Sequence, residues 1–296
     1  MQRSFLFFGK TFFLVLEMTI LLGIAPHQAM AAKNPLRQVF EAATKALQAG
    51  DYQRAIDLYE ACLEIYPGFA PAYYYLGLAH QAAGTDLREV MWLFQKAVQI
   101  KPDYVQAYDQ LSRVAYALGL FGEAEQAALK AVDINPKLVR PHLALGWIYL
   151  IVRNQPLDAV EHFQQVLQQK EMPAAEFGLG LAYYRAGQRF RVLEMITALR
   201  QKGHEASASQ LEKMLHTGAD ILPPSIPAMP SSAPESVLVD EAPSFQAAGF
   251  SGGDMTVRLR DKIENVLSGQ PVSRSDLSGA ERIRLLQRRG LGQPKR

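Results

Sequence analysis

Three prolines divide the chain. Pro67, Pro102 and Pro136 stand 35 and 34 residues apart, in IYPG, IKPD and INPK. Each closes an apolar stretch of helical periodicity: AIDLYEACLEIYP, EVMWLFQKAVQIKP and EAEQAALKAVDINP. A proline has no N–H to give the helical ladder and crowds the turn before it, so a helix ends there. A turn with glycine precedes each of these helices, at Gly50, Gly84 and Gly119. The unit is therefore helix, tight turn, helix, proline stop. A repeat of about 34 residues is the mark of a helical array, in which each two-helix unit buries its apolar face only against the next.

The first helices show the same recurrence in PAYYYLGLAHQAAG (71–84), QAYDQLSRVAYALG (106–119), RPHLALGWIYLIVR (140–153) and AEFGLGLAYYRAG (175–187). Five units follow, at about 36–69, 70–104, 105–138, 139–172 and 173–203. The second and fourth need one extra residue in the turn, and the fifth lacks its closing proline. HEASASQLEKMLH (204–216) reads as a cap helix with Leu211 and Leu215 facing in. Leu111, read as fully buried, would then cost about 2–5 kcal/mol on truncation to alanine.

These residues resemble the tetratricopeptide repeat family. Its leucine–small pair appears as Leu76-Gly77, Leu111-Ser112, Leu145-Gly146 and Leu179-Gly180. The small positions of the second helices are Ala55 and Cys62, Val90 and Ala97, Ala124 and Ala131, and Ala159 and Val166. The resemblance implies an all-α, right-handed solenoid whose first helices line a concave face that binds peptides or helices. Projected onto this chain, the groove set is Tyr74, Leu78 and Gln81; Asp109, Arg113 and Tyr116; Leu143, Trp147 and Leu150; and Phe177, Leu181 and Tyr184. Of the three adjacent tyrosines, Tyr73 then belongs to the core, Tyr74 to the groove and Tyr75 to the flank. The expected groove is apolar and aromatic toward its C-terminal half, with Asp109 and Arg113 as its polar centre. Aromatic and arginine side chains dominate binding hot spots. The partner expected is a protein with an apolar segment.

Other classes find little support. Lone Cys62 forms no intramolecular disulfide and reads as a packing residue. The six histidines, at 27, 80, 142, 162, 204 and 216, show no metal-ligand spacing, and His142 falls at a core helix position. GLGLAY (178–183) lacks the third glycine and the preceding strand of a dinucleotide loop. No serine elbow or paired-carboxylate arrangement appears, so neither catalysis nor a cofactor nor a metal is expected. The net charge is +2, and residues 32–217 hold 19 bases and 19 acids. That balance gives no reason to expect a nucleic-acid partner.

The ends differ from the array. Arg3 and Lys10 precede the apolar run TFFLVLEMTILLGIA (11–25), and Ala29 and Ala31 form a small-x-small cleavage signal. Residues 1–31 are expected to be a signal peptide that exports the protein to a periplasm or envelope; the alternative is a membrane anchor over 5–25. The array is expected over 32–217. Residues 218–256 carry five acids, no base and six prolines, the composition of a disordered acidic linker. Residues 257–296 carry ten bases and four acids. Two short helices are expected there, one with Leu259, Ile263 and Val266 on a face, one opened by a Ser278/Glu281 capping box. For 257–291 the sequence leaves open docking into the chain's own groove, docking on a partner, or attraction to an anionic membrane or polymer, such as a polysaccharide, through Arg282, Arg284, Arg288 and Arg289.

Overall fold

The computed structural model describes residues 35–218, which form eleven helices and, among the described residues, no strand. The expected leader, the linker beyond Gly218 and the basic tail lie outside the described residues. The helices are α1 (Pro35–Gln48), α2 (Tyr52–Ile65), α3 (Ala70–Ala82), α4 (Leu87–Ile100), α5 (Val105–Ala117), α6 (Phe121–Ile134), α7 (Val139–Trp147), α8 (Pro156–Gln169), α9 (Pro173–Arg185), α10 (Arg189–Gln201) and α11 (Glu205–Thr217). They pair into five helix-turn-helix units, and α11 packs on α9 and α10 as a cap.

The stops act through the residue before each proline. Tyr66, Lys101 and Asn135 are extended, with φ of −141°, −121° and −138°. A proline ring excludes its predecessor from the helical region, so the helix ends one residue early. Within a unit the chain reverses through a left-handed residue, as at Gly119 (φ 73°). There Gly119 N donates to Tyr116 O at 3.0 Å and Leu120 N to Ala115 O at 2.9 Å, closing the helix in a Schellman motif.

The two extra residues are absorbed differently. In the second unit the extra residue lengthens the turn between α3 and α4. The fourth unit corrects the expectation: its turn is no longer than the others, and α7 continues instead as a π-helical stretch, Ile148–Val152. Gln155 N reaches back to Tyr149 O at 2.8 Å, one residue further than Leu120 does. A π-turn admits one more residue without breaking the helix. Asn154, at φ 54°, stands where the other units place glycine, and asparagine tolerates that conformation best among residues with a Cβ.

The leucine–glycine pairs of the second and fourth units have a packing reason. A Cβ on Gly77 would meet Phe94 Cε1 at 2.8 Å, and one on Gly146 would meet Phe163 Cε1 at 2.7 Å. The second helix thus drives an aromatic wedge into the gap left by a glycine on the first. Tyr59, Phe94, Phe163 and Ile196 occupy this wedge position in four units; the third has Ala128. Its neighbour Ala127 stands where the others carry Leu58, Leu93, His162 and Met195. The buried residues of α6 are accordingly all alanines: Ala124, Ala127, Ala128 and Ala131.

The missing volume shows twice. The core falls into two large clusters, joined by a small one of Val90, Phe94, Leu111, Val114 and Ala127. A cleft of about 670 Å³ also opens over Tyr108, Leu111 and Ala127, rimmed by Gln95, Glu123 and Lys130. Leu111→Ala is therefore expected near the low end of its class, about 2 kcal/mol, because one side of the leucine already faces the cleft. Ala127→Leu should fill that space and raise the unfolding free energy by about 1 kcal/mol. Urea denaturation of both variants checks the pair, and a destabilised Ala127→Leu protein would rule out the missing-volume account.

Candidate functional site: the inner face of the first helices

The first helices α1, α3, α5, α7 and α9 lie along one side of the array, with direct contacts from α5 to α7 and from α7 to α9. Their inner face divides into an open N-terminal part and a closed C-terminal part.

In the open part, Tyr74, Leu78, Gln81 and Arg113 are all half-buried. Tyr74 lies against Tyr104 and Phe94, with ring centroids 5.1 and 5.9 Å away. Burial, together with Asp109, raises its phenol above the usual range, so it stays neutral. Arg113 bridges two units. Its Nη2 donates to Gln81 Oε1 of α3 at 2.5 Å and to Gln110 Oε1 of α5 at 2.7 Å, and its Nε donates to Gln110 Oε1 at 3.1 Å. Burial lowers the Arg113 pKa, Asp109 opposes that, and the neighbouring Arg140 guanidinium adds to it.

Arg140 and Gln110 belong to this cluster and were absent from the expected set. Arg140 Nε donates to Asp109 Oδ2 at 2.9 Å, and Arg140 Nη2 donates to the same oxygen. Asp109 is only 5% exposed, and its Oδ1 has no hydrogen-bond partner among the described residues. The signal that could have found Arg140 is positional: it sits one helical turn before Leu143, on the same line as Asp109 in the preceding unit.

The closed part corrects the expectation of an apolar groove wall. Leu143, Trp147, Leu150, Phe177 and Leu181 are buried in the core of the third to fifth units. Trp147, 1% exposed, packs edge-on against Phe163 at 5.1 Å. Tyr116 is also buried, edge-on to Phe121 at 5.6 Å. The physical reason is that these helices stack closely, so side chains offset from the leucine–small stripe insert between units instead of standing in solvent. Of the C-terminal set, Tyr184 alone stays half-buried. Tyr75, expected at the flank, is interior too, stacked on Tyr59 at 5.8 Å and edge-on to Phe40 at 5.5 Å. Tyr73 is in the core as expected, against Trp92.

The inner face thus offers two guanidiniums, two primary amides, a buried carboxylate and a strip of tyrosine and leucine. That set recognises a polar or anionic group beside an apolar one. Among the described residues, no group of three or more His, Cys, Asp or Glu could hold a metal ion.

Comparison with known proteins agrees with this architecture. Residues 40–105 match the family model described as tetratricopeptide repeat. A human protein, tetratricopeptide repeat protein 13, is 28% identical over 160 residues, which is 52% of this chain and 18% of that protein. The chain therefore spans less than a fifth of the length of this curated relative. Among solved structures, MamA protein is 19% identical, covering 64% of this chain and 98% of its own, with a TM-score of 0.51. YrrB, a tetratricopeptide repeat protein with an unusual peptide-binding site, is 21% identical over 59% of this chain and 90% of its own, with a TM-score of 0.54. A tetratricopeptide repeat protein from Parabacteroides merdae is 15% identical over 62% and 74%, with a TM-score of 0.54. At these identities the likeness is one of fold.

Proposed function

From the premise that this chain belongs to the tetratricopeptide repeat family, whose members are protein-interaction scaffolds, we propose that it is an exported, non-catalytic scaffold. Its open inner face over α3, α5 and α7 binds a segment of a partner protein. The observation that carries the reading is the Gln81–Arg113–Gln110 bridge beside Asp109–Arg140: polar groups from three successive units converge on one half-buried face that also carries Tyr74 and Leu78. Binding needs no chemical step. The tyrosine and leucine supply apolar area, and the guanidiniums and amides fix the register of the bound segment by directed hydrogen bonds. Export rests on the charged, apolar and small-residue order of 1–31, which lies outside the described residues. The peptide-binding site of YrrB supports the class of ligand.

A photo-reactive residue placed at Gln81 in the native host tests this. We expect a heavier adduct with one partner, reduced about tenfold by Arg113→Glu and absent when the reporter stands at exposed Lys137. Adducts of equal yield at both positions would mean that the face is not selective and would sink the proposal. Cell fractionation with alkaline phosphatase fused after residue 31 tests export separately, and an inactive fusion would place the chain in the cytoplasm.

A further inference from the structure

The open face holds a guanidinium that no carboxylate in the described residues bonds. Among the described residues, every hydrogen bond of the Arg113 guanidinium goes to a neutral amide oxygen, of Gln81 or Gln110. Asp109 lies near it but is committed through Oδ2 to Arg140. A half-buried cation whose direct partners are all neutral has lost water, and the one carboxylate beside it, Asp109, is shared with Arg140, so an incoming anion repays part of that cost. The two glutamines tie down Nε and Nη2, which leaves Nη1 as the positioned donor. Beside it, Tyr74 and Leu78 of α3 form a half-buried apolar strip. The complement is a short apolar run followed by acids.

The chain contains such a run. Residues 218–256 hold five acids and no base, and in one place an uninterrupted apolar run meets adjacent acids: Val237, Leu238 and Val239, then Asp240 and Glu241. Asp240 lies 22 residues beyond Gly218, a chain length that reaches at most about 75 Å. From α11 the way back passes α9 and α7 to α5, which are in contact in that order, so about 30 Å separates α11 from α5 at the usual 8–10 Å interaxial spacing. The segment can reach the site with chain to spare. Tethering at such lengths gives an effective concentration near the millimolar range, so a weak dock is well populated.

We propose that the chain's own residues 237–241 dock on the open inner face, with the Asp240 and Glu241 carboxylates at Arg113 and the apolar run against Tyr74 and Leu78. The segment then competes with the partner for the face, and binding requires its displacement. This rests on the groove reading above in that both use one site.

Purified full-length chain with a photo-reactive residue at Leu78 tests it, with no partner present. The expected product is an intramolecular crosslink in the monomer to the peptide containing 237–241. Its yield should fall about fivefold on raising salt from about 0.05 to 0.5 M. A similar fall is expected in the Asp240→Asn, Glu241→Gln variant, whose changes lie outside residues 35–218. The charge swap Arg113→Glu with Asp240→Arg and Glu241→Arg should restore the yield, and circular dichroism of each variant reports whether the array is folded. A crosslink to any other segment, one found in the dimer band alone, or one indifferent to these charges would overturn the proposal. The partner adduct at Gln81 in the host is read independently, so loss of the self-crosslink with the partner adduct retained refutes self-docking alone.

Discussion

Phe163→Ala is expected to lower the unfolding free energy by about 3–5 kcal/mol, the largest effect of any single truncation proposed for the array. The ring is fully buried on α8 and packs edge-on against Trp147 of α7 at 5.1 Å. It also fills two glycine gaps at once. A Cβ on Gly146 would stand 2.7 Å from it, and one on Gly178 of α9 would stand 2.5 Å away. One side chain therefore joins the two helices of its own unit to the first helix of the next. In a stacked array the interface between units carries much of the stability, so its loss should be felt beyond one repeat. The converse substitutions test the same wedge. Alanine is favoured over glycine in a helix by about 1 kcal/mol. Even so, Gly146→Ala and Gly178→Ala should each destabilise by about 1–3 kcal/mol, because the ring is hemmed in on both sides and cannot turn away. Chemical denaturation reads all three, and Phe163→Leu combined with Gly178→Ala should recover part of the loss, a coupling expected only of residues in contact. A cost below about 1 kcal/mol for Phe163→Ala would show that the ring does not hold the units together.

The repeating frame was legible because its signals are local. A proline stop, a left-handed glycine and a leucine–small pair each act within a few residues, and their spacing gives the five units and the cap. Absorption of the extra residue in the fourth unit was not legible, since a longer turn and a π-turn have the same residue count. The groove was half legible. Gln81 and Arg113 stand on the open face because polar groups paired with each other keep one side in water. Trp147, Leu143 and Leu181 do not, since an apolar side chain offset from the core stripe is drawn between helices wherever a gap exists. A clue was present in GLGLAY: Gly180 belongs to the leucine–small pair, whereas Gly178 had no assigned role. A second glycine one helical half-turn away signals a second close approach, here to Phe163. Arg140 escaped for a different reason. Its partner Asp109 lies 31 residues earlier, and a pairing across units is marked only by repeat position, one turn before Leu143, and not by any local pattern.

Acid should loosen the array at one identifiable point. His142 on α7 is 5% exposed, and its Nε2 lies 3.0 Å from the carbonyl oxygen of Pro136. A carbonyl only accepts, so Nε2 carries a proton. His162 Nδ1 lies 3.1 Å from His142 Nδ1, so one of the two nitrogens donates to the other. Burial first, and His142 second, push the His162 pKa down to about 4, with Asp158 opposing. Tyr149 stacks on His162 at 5.3 Å, and Glu125, Asp158 and Arg153 are the charged groups beside that tyrosine. The folded-state pKa lies below the ordinary value near 6.5, so the unfolded chain takes up the proton first as pH falls. The contribution is complete above pH 6.5 and is lost between 6.5 and about 4. For a half-buried ring, partial solvent screening leaves about 2 kcal/mol of it. His162→Gln keeps a neutral hydrogen-bonding group beside His142 and removes the titration. Between pH 7.5 and 4.5 the wild-type unfolding free energy should therefore fall about 2 kcal/mol further than that of His162→Gln. Parallel curves for the two proteins would mean that the pair does not titrate in this range, and that any acid lability arises from the carboxylates.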